Sequence, residues 1–287
     1  MDQAERLREF LQQKKQPKPT RVIAVTSGKG GVGKSNFSVN LALTLMAQGQ
    51  KVVIIDLDIG MANIDILMGL SPKSNLLDII HRNYSIWNVI EKGPFGLEYI
   101  AGGSGFQDVL KLEEQGMNQF FQQLERLQGY ADFILLDTGA GISQESLRFI
   151  LAADEVLLVT TPEPTAITDA YSMVKILHGR NPSVQIRLMV NRVQSYQEGR
   201  TVAEKIQLVS KKFLQLEIGT LGYLMEDSQV MQAVKNQTPF YVAYPNSAAS
   251  KGIKEIAQSY LSGAEAVQSD DKGMKGFIQR LVRMVKQ

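Results

Sequence analysis

Arg21-Val22-Ile23-Ala24-Val25-Thr26-Ser27-Gly28-Lys29-Gly30-Gly31-Val32-Gly33-Lys34-Ser35 decides the reading of this chain. Arg21 to Val25 is a short apolar run, β-branched at three positions, which reads as a buried strand. A glycine-rich loop follows, and from Ser35 to Ala47 apolar residues recur at helical spacing. Gly28, Gly33, Lys34 and Ser35 satisfy the pattern G-x-x-x-x-G-K-[ST] between that strand and that helix, where a phosphate-binding loop has to sit. The chemistry needs each residue type. Glycines permit positive φ and let backbone N–H groups approach phosphates. Lys34 brings charge to the β- and γ-phosphates, the Ser35 hydroxyl can ligate Mg²⁺, and the helix N-terminus adds its positive end.

Outward from this unit, Lys51 to Ile55 is a second buried strand, and Leu97–Ile100, Phe133–Leu136, Val156–Thr160, Ile186–Val190 and Ile218–Gly222 read as further ones. Helical segments are expected at about 112–128, 143–152, 165–178, 200–214 and 246–264. Strands alternating with helices predict an α/β fold, a mostly parallel twisted sheet covered by helices on both faces. Residues 1–16 are polar and helix-prone, with Pro17 and Pro19 ending any helix. The organisation predicted is an N-terminal segment and linker (1–19), a nucleotide-binding domain (20–264), a linker (265–272) and a C-terminal amphipathic helix (273–287).

Composition narrows the classes. The 287 residues suit one large α/β domain or two small ones, and 44% hydrophobic content supplies a sizeable core. A net charge of +2 does not suit a nucleic-acid-coating protein, so DNA is not an expected partner. There is no cysteine, which excludes thiolate-held zinc and iron–sulfur centres. No apolar run reaches the ~18 residues of a spanning helix and no signal core opens the chain, so a cytoplasmic location is expected.

Acidic residues close the strands. Val53-Ile54-Ile55 leads into Asp56 and Asp58, and Ile134-Leu135-Leu136 into Asp137. Carboxylates at the carboxyl ends of parallel strands occupy the ligand edge of the sheet. Four apolar residues followed by Asp137 form a Walker-B pattern, which places that carboxylate near Mg²⁺. A guanine-reading N-K-x-D element is lacking: Asn191-Arg192-Val193-Gln194 has the asparagine without the aspartate, which favours adenine. The loop Gly222 to Asp227 is expected to complete the base pocket.

A second lysine, Lys29, stands inside the loop. Lys29-Gly30-Gly31-Val32-Gly33-Lys34-Ser35 resembles the deviant Walker A motif of the MinD/ParA family of ATPases. The resemblance implies ATP and ADP as ligands with Mg²⁺, bound by Gly28 to Ser35 with Asn36. It implies an ATP-held homodimer in which Lys29 and Lys34 act in catalysis and Lys29 reaches the partner's nucleotide. It gives Asp58 the attacking water, and it puts Asp56 and Asp137, with Ser35, at Mg²⁺, partly through water. Asn191 would contact the base and Arg192 pack over it.

At the C-terminus, Met274, Phe277, Ile278, Leu281, Val282, Met284 and Val285 share one helical face, and Lys275, Gln279, Arg280, Arg283 and Lys286 the other. A basic amphipathic helix too short to span a bilayer reads as a reversible anchor to the anionic inner face of the cell membrane. Docking on its own domain is the other reading, and the two are compatible if ATP releases the helix.

Within the family, Asp2-Gln3-Ala4-Glu5-Arg6-Leu7-Arg8 is similar to the D-Q-A-x-x-L-R element of flagellar MinD-like ATPases of the FlhG (FleN, YlxH) type. This likeness implies that Asp2, Gln3, Ala4, Leu7 and Arg8 engage the signal-recognition-type GTPase FlhF. It also implies flagellar switch-complex proteins as further partners, and control of flagellar number and placement as the role. Two alternatives stay open: a ParA-type DNA-partitioning or other positioning ATPase, and a nucleotide-locked scaffold with negligible hydrolysis.

Overall fold

Buried backbone must pair, so apolar runs that alternate with amphipathic stretches settle as strands side by side beneath helices. The computed structural model describes residues 20–58, 63–103, 114–141, 143–263 and 273–285. The N-terminal partner-binding positions Asp2, Gln3, Ala4, Leu7 and Arg8, and the linker expected at 265–272, lie outside the described residues.

Eight strands form one sheet: β1 (Arg21–Thr26), β2 (Val52–Leu57), β3 (Glu91–Lys92), β4 (Glu98–Ile100), β5 (Phe133–Thr138), β6 (Glu155–Thr160), β7 (Ile186–Val193) and β8 (Gly219–Met225). Their order is β3-β4-β2-β5-β1-β6-β7-β8, and every pair is parallel except β3 with β4. The seven strands expected from apolar runs are all present. The antiparallel β3 is additional: two residues carry no alternation from which to read it.

The helices are α1 (Lys34–Ala47), α2 (Ile64–Met68), α3 (Asp78–His81), α4 (Ile86–Val89), α5 (Glu114–Glu125), α6 (Gln144–Ala152), α7 (Pro164–Arg180), α8 (Tyr196–Leu214), α9 (Ser228–Lys235), α10 (Phe240–Ala243), α11 (Ala248–Ser262) and α12 (Gly273–Val285). Two apolar cores sandwich the sheet. Val22 and Ala24 of β1 join Phe120, Leu147, Met173 and Ile206 from α5 to α8, whereas Ile23 and Val25 join Phe37 of α1 and Ile253 of α11. Burial on both faces is why the central strands read as unbroken apolar runs.

β1 lies between β5 and β6, and the chain leaves it for β2 beyond β5. A crevice opens at such a switch of direction, at the carboxyl ends of the strands. Register aligns the edge: Val25 is opposite Asp137, and Asp137 opposite Asp56. At the other edge, the buried Glu155 accepts from the Tyr260 hydroxyl at 2.6 Å and pairs with Arg21 and Arg187. Burial, then Glu155, holds the Tyr260 hydroxyl well above its ordinary pKa.

The C-terminal helix is docked. Met274, Phe277 and Leu281 are fully buried in the domain's own core, with Ile278, Val282 and Val285 half-buried beside them. The Phe277 ring packs 6.2 Å from that of Phe149 on α6. Asp154 accepts from Gly273 N–H at 3.0 Å and from Arg280 Nη2 at 2.7 Å, and Arg280 Nε donates to Ala152 O at 2.8 Å. The apolar stripe expected to face lipid therefore faces protein here, because the same side chains complete the core over α5 and α6.

Candidate functional site

The loop between β1 and α1 takes the conformation its glycines permit. Gly31 and Gly33 hold φ of +77° and +91°, a region that β-carbons disfavour. Gly28 answers to space instead: a β-carbon there would lie 2.3 Å from the Asp169 carbonyl oxygen, so α7 runs directly against the loop. On the far side, Asn191 Nδ2 donates to the Val32 carbonyl at 2.8 Å. The amide expected to contact the base thus also braces the phosphate loop.

Lys34, the first residue of α1, is almost wholly buried. Its Nζ lies 3.3 Å from Asp137 Oδ1 and 3.3 Å from Ser35 Oγ. Ser38, one turn on, donates from its hydroxyl to the same Asp137 oxygen at 2.7 Å. The second oxygen, Asp137 Oδ2, is buried without a hydrogen-bond partner among the described residues. Ser35 Oγ and Asp137 Oδ1 each lie 3.3 Å from Lys34 Nζ, and a serine hydroxyl with a carboxylate oxygen left unpartnered is an oxygen donor set that a magnesium ion would complete with phosphate and water. Ser35 and Asp137 therefore fit Mg²⁺.

Asp56 is 2% exposed and opposite Asp137. It accepts from the N–H groups of Asp58 (2.9 Å), Asn63 (3.2 Å) and Ile64 (3.4 Å). Burial, then the charge of Asp137, pushes its pKa up to about 7 despite those three donors. Asp58, half-buried, has its pKa raised chiefly by burial, with Lys34 opposing and Asp137 adding, and its Oδ2 accepts from Asn63 Nδ2 at 2.9 Å. Ser27, Gly31 to Asn36 and Asp58 all line one cleft of about 290 Å³.

An adjoining cleft of about 310 Å³ is apolar in its walls: Phe37, Leu224, Val230, Met231 and Phe240 surround it, with Asn191 and the Met225 to Asp227 segment at the edge. Gly33, Asn36, Arg192 and Val234 line both clefts, so the two are continuous. One is polar and sized for phosphates with a cation, the other apolar and sized for a base. The 222–227 segment expected as a loop is β8 as far as Met225, because it pairs with β7 past a bulge. Arg192 sits at that bulge with φ +56°.

Lys29 points elsewhere. Its Nζ lies 2.8 Å from Glu163 Oε2 and 2.9 Å from Thr165 Oγ1, at the start of α7. Glu163, fully exposed, has its pKa lowered by that hydrogen bond.

The structure thus gathers Gly28 to Asn36, Asp56, Asp58, Asp137, Asn191 and Arg192 at one edge. Sequence reasoning missed Ser38, Asn63, Glu163, Thr165 and the apolar base walls. Only Ser38 left a signal, a serine one turn after Lys34 on the helix that the phosphate loop opens.

Comparison with known proteins agrees with this geometry. A family model described as ParA, NUBPL iron-transfer P-loop NTPase, matches residues 18–261. The antiactivator FleN of Pseudomonas aeruginosa is 38% identical over 266 residues, covering 92% of this chain and 94% of FleN. The flagellum site-determining protein YlxH of Helicobacter pylori is 37% identical over 269 residues, covering 92% of this chain and 90% of YlxH. The solved structure of the septum site-determining protein MinD with Mg-ADP, from Pyrococcus horikoshii, superimposes with a TM-score of 0.68 at 26% identity. It covers 85% of this chain and 98% of that one.

Proposed function

Because the chain belongs to the ParA/MinD family of P-loop ATPases, we propose that it is an ATP-driven switch that dimerises, binds the membrane reversibly and sets flagellar number or placement. The flagellar part rests on its likeness to FleN and YlxH. The observation that carries the switch is the position of α12. Its apolar face packs on α6, and α6 begins with Ser143 as N-cap, six residues after Asp137. A displacement of the Gly139 to Gly141 segment that follows β5 would be passed to the floor on which Phe277 rests.

In this reading the phosphates of ATP lie along the backbone of Gly28 to Ser35. Lys34, held by Asp137, presents its ammonium to the β- and γ-phosphates. Ser35 and Asp137 would hold Mg²⁺, with Asp56 behind them through water; the ion supplies charge neutralisation on the phosphate oxygens. Asp58, oriented by Asn63, positions the attacking water. The base enters the apolar cleft beside Asn191 and Arg192. Lys29 leaves Glu163 and crosses to the nucleotide of a second copy, which makes dimerisation a condition of turnover. Dimerisation also brings two α12 helices to one surface, and two weak anchors hold far better than one. An anionic membrane is the surface that suits Lys275, Arg283 and the stripe of Met274, Phe277, Ile278, Leu281, Val282 and Val285. Asp2 to Arg8 would engage the FlhF GTPase, and flagellar switch-complex proteins are the further partners.

Liposome co-sedimentation of wild type and Asp58→Ala with ADP and with ATP, read alongside oligomeric state, tests the switch. ATP-dependent dimers that bind anionic vesicles, locked on by Asp58→Ala, are expected. A monomer with ATP and Asp58→Ala ends the dimer step. Unchanged vesicle binding after deletion of 273–287 ends the membrane step.

A further inference from the structure

A chain of contacts joins the base cleft to Asp58 without passing through the phosphate loop. α9 walls the base cleft with Val230, Met231 and Val234, and Val234 reaches the phosphate cleft too. The helix ends in a tight turn, where Gln237 N–H donates to Val234 O and Thr238 N–H to Ala233 O, each at 3.0 Å. Gln237 holds φ +48°, left-handed backbone that an L side chain rarely adopts. With the two hydrogen bonds it closes α9 as a Schellman cap, which fixes the direction in which the Gln237 side chain leaves the helix.

The Gln237 side chain crosses to a distant element. Its Nε2 donates to the Ile66 carbonyl of α2 at 3.2 Å. A β-carbon on Gly69, the residue that ends α2, would lie 3.4 Å from Gln237 Cβ, so the two turns are in contact. The other end of α2 belongs to the catalytic edge. Asn63, its N-cap, donates to Asp58 Oδ2, and the N–H groups of Asn63 and Ile64 point at Asp56 Oδ2. A five-residue helix is thus fastened at one end to two switch carboxylates and at the other to the wall of the base cleft.

We propose that Gln237 is a positioning residue: closure of α9 on a bound base passes through Gln237 to α2 and fixes Asn63, and with it Asp58. Occupancy of the base cleft then becomes a condition for placing the attacking water, which separates a nucleotide from free polyphosphate. The proposal rests on the role given to Asp58 above.

Amide hydrogen exchange in the full-length protein reads the relay directly, with saturating Mg-ADP or Mg-pyrophosphate as ligand. In wild type, ADP slows exchange across Ile64–Met68 beyond what pyrophosphate does. In Gln237→Leu, which keeps bulk against Gly69 but has no donor, the two ligands protect equally. Equal protection in wild type overturns the proposal, and so does ADP-specific protection that survives in Gln237→Leu. The wild-type arm needs no variant, so a misfolded variant cannot shelter the idea. Steady-state hydrolysis gives the second readout. Gln237→Leu lowers kcat for ATP about three- to ten-fold, the factor one neutral hydrogen bond represents, with KM within about two-fold. Gln237→Lys, which restores a donor, recovers most of it. A rise in KM alone, or an unchanged kcat, overturns the relay. Should Asp58→Ala retain turnover, the role of Asp58 falls, and the exchange comparison still judges the link into α2.

Discussion

Lys29 Nζ and Glu163 Oε2 lie 2.8 Å apart within a single chain, between the phosphate loop and the start of α7. A lysine held this way must change partner before it serves a second subunit. Glu163 is exposed and Lys29 partly so, and such a solvent-screened pair adds little to stability. Glu163→Gln is therefore expected to leave the melting temperature unchanged and to shift ATP-driven dimerisation to lower ATP. Lys29→Ala is expected to bind ATP but remain monomeric. Sedimentation velocity over an ATP titration reads both.

Gly28 and Gly30 make opposite predictions from one loop. At Gly28 a new β-carbon meets the Asp169 carbonyl at 2.3 Å, and neither backbone can yield. Gly28→Ala should destabilise the fold by about 2–3 kcal/mol through overpacking. At Gly30 the nearest atom is Ala140 Cβ at 3.6 Å, ordinary contact. Gly30→Ala should leave stability within about 0.5 kcal/mol. Urea denaturation without nucleotide decides between them.

Asp56 links stability to pH. Its folded pKa of about 7 exceeds the ordinary 3.8, so the folded protein binds this proton more tightly than the unfolded chain does. The favourable contribution is complete below about pH 4 and is lost as pH rises through 7. Asp56→Asn should match wild type near pH 4 and gain on it up to pH 8 by on the order of a few kcal/mol. The measurement is chemical denaturation of nucleotide-free protein across that range. A variant that gains nothing at pH 8 contradicts the buried, proton-retaining carboxyl.

Asp154 tests the seat of α12 without touching its apolar stripe. Asp154→Ala removes an acceptor for Gly273 N–H and an ion-pair partner of Arg280, and with them the acceptor for Val22 N–H on β1, so the melting temperature is read beside vesicle binding. Losing a partly buried charged pair costs about 2–4 kcal/mol. Vesicle binding in the absence of ATP should rise several-fold over wild type. Binding that stays wholly ATP-dependent would show that the seat is set elsewhere.

Much of this molecule was legible in its sequence because two periodicities carry it. Central strands buried on both faces give unbroken apolar runs, and the phosphate loop combines glycine freedom with a lysine and a serine at fixed spacing. Of the residues that escaped, Glu163, Thr165 and Gln237 act through contacts between segments far apart in the chain, and Asn63 through a turn with no motif of its own. Gln237 reaches Ile66 across 171 positions, and neither residue type announces the other. For α12 both destinations, lipid and its own domain, stayed open for a different reason. A hydrophobic stripe specifies that it needs an apolar surface, and it says nothing of whose surface that is.

For α12 that ambiguity has an energetic sequel. Its stripe and its groove are two halves of one interior, so releasing the helix wets both. Burial of Met274, Phe277 and Leu281 alone is worth roughly 5–9 kcal/mol at 1.5–3 kcal/mol per side chain. A bilayer can take back the helix but leaves Phe149 and its neighbours facing water. The competitor of the membrane is thus the protein's own core, and the free energy of nucleotide binding and pairing has to close the difference.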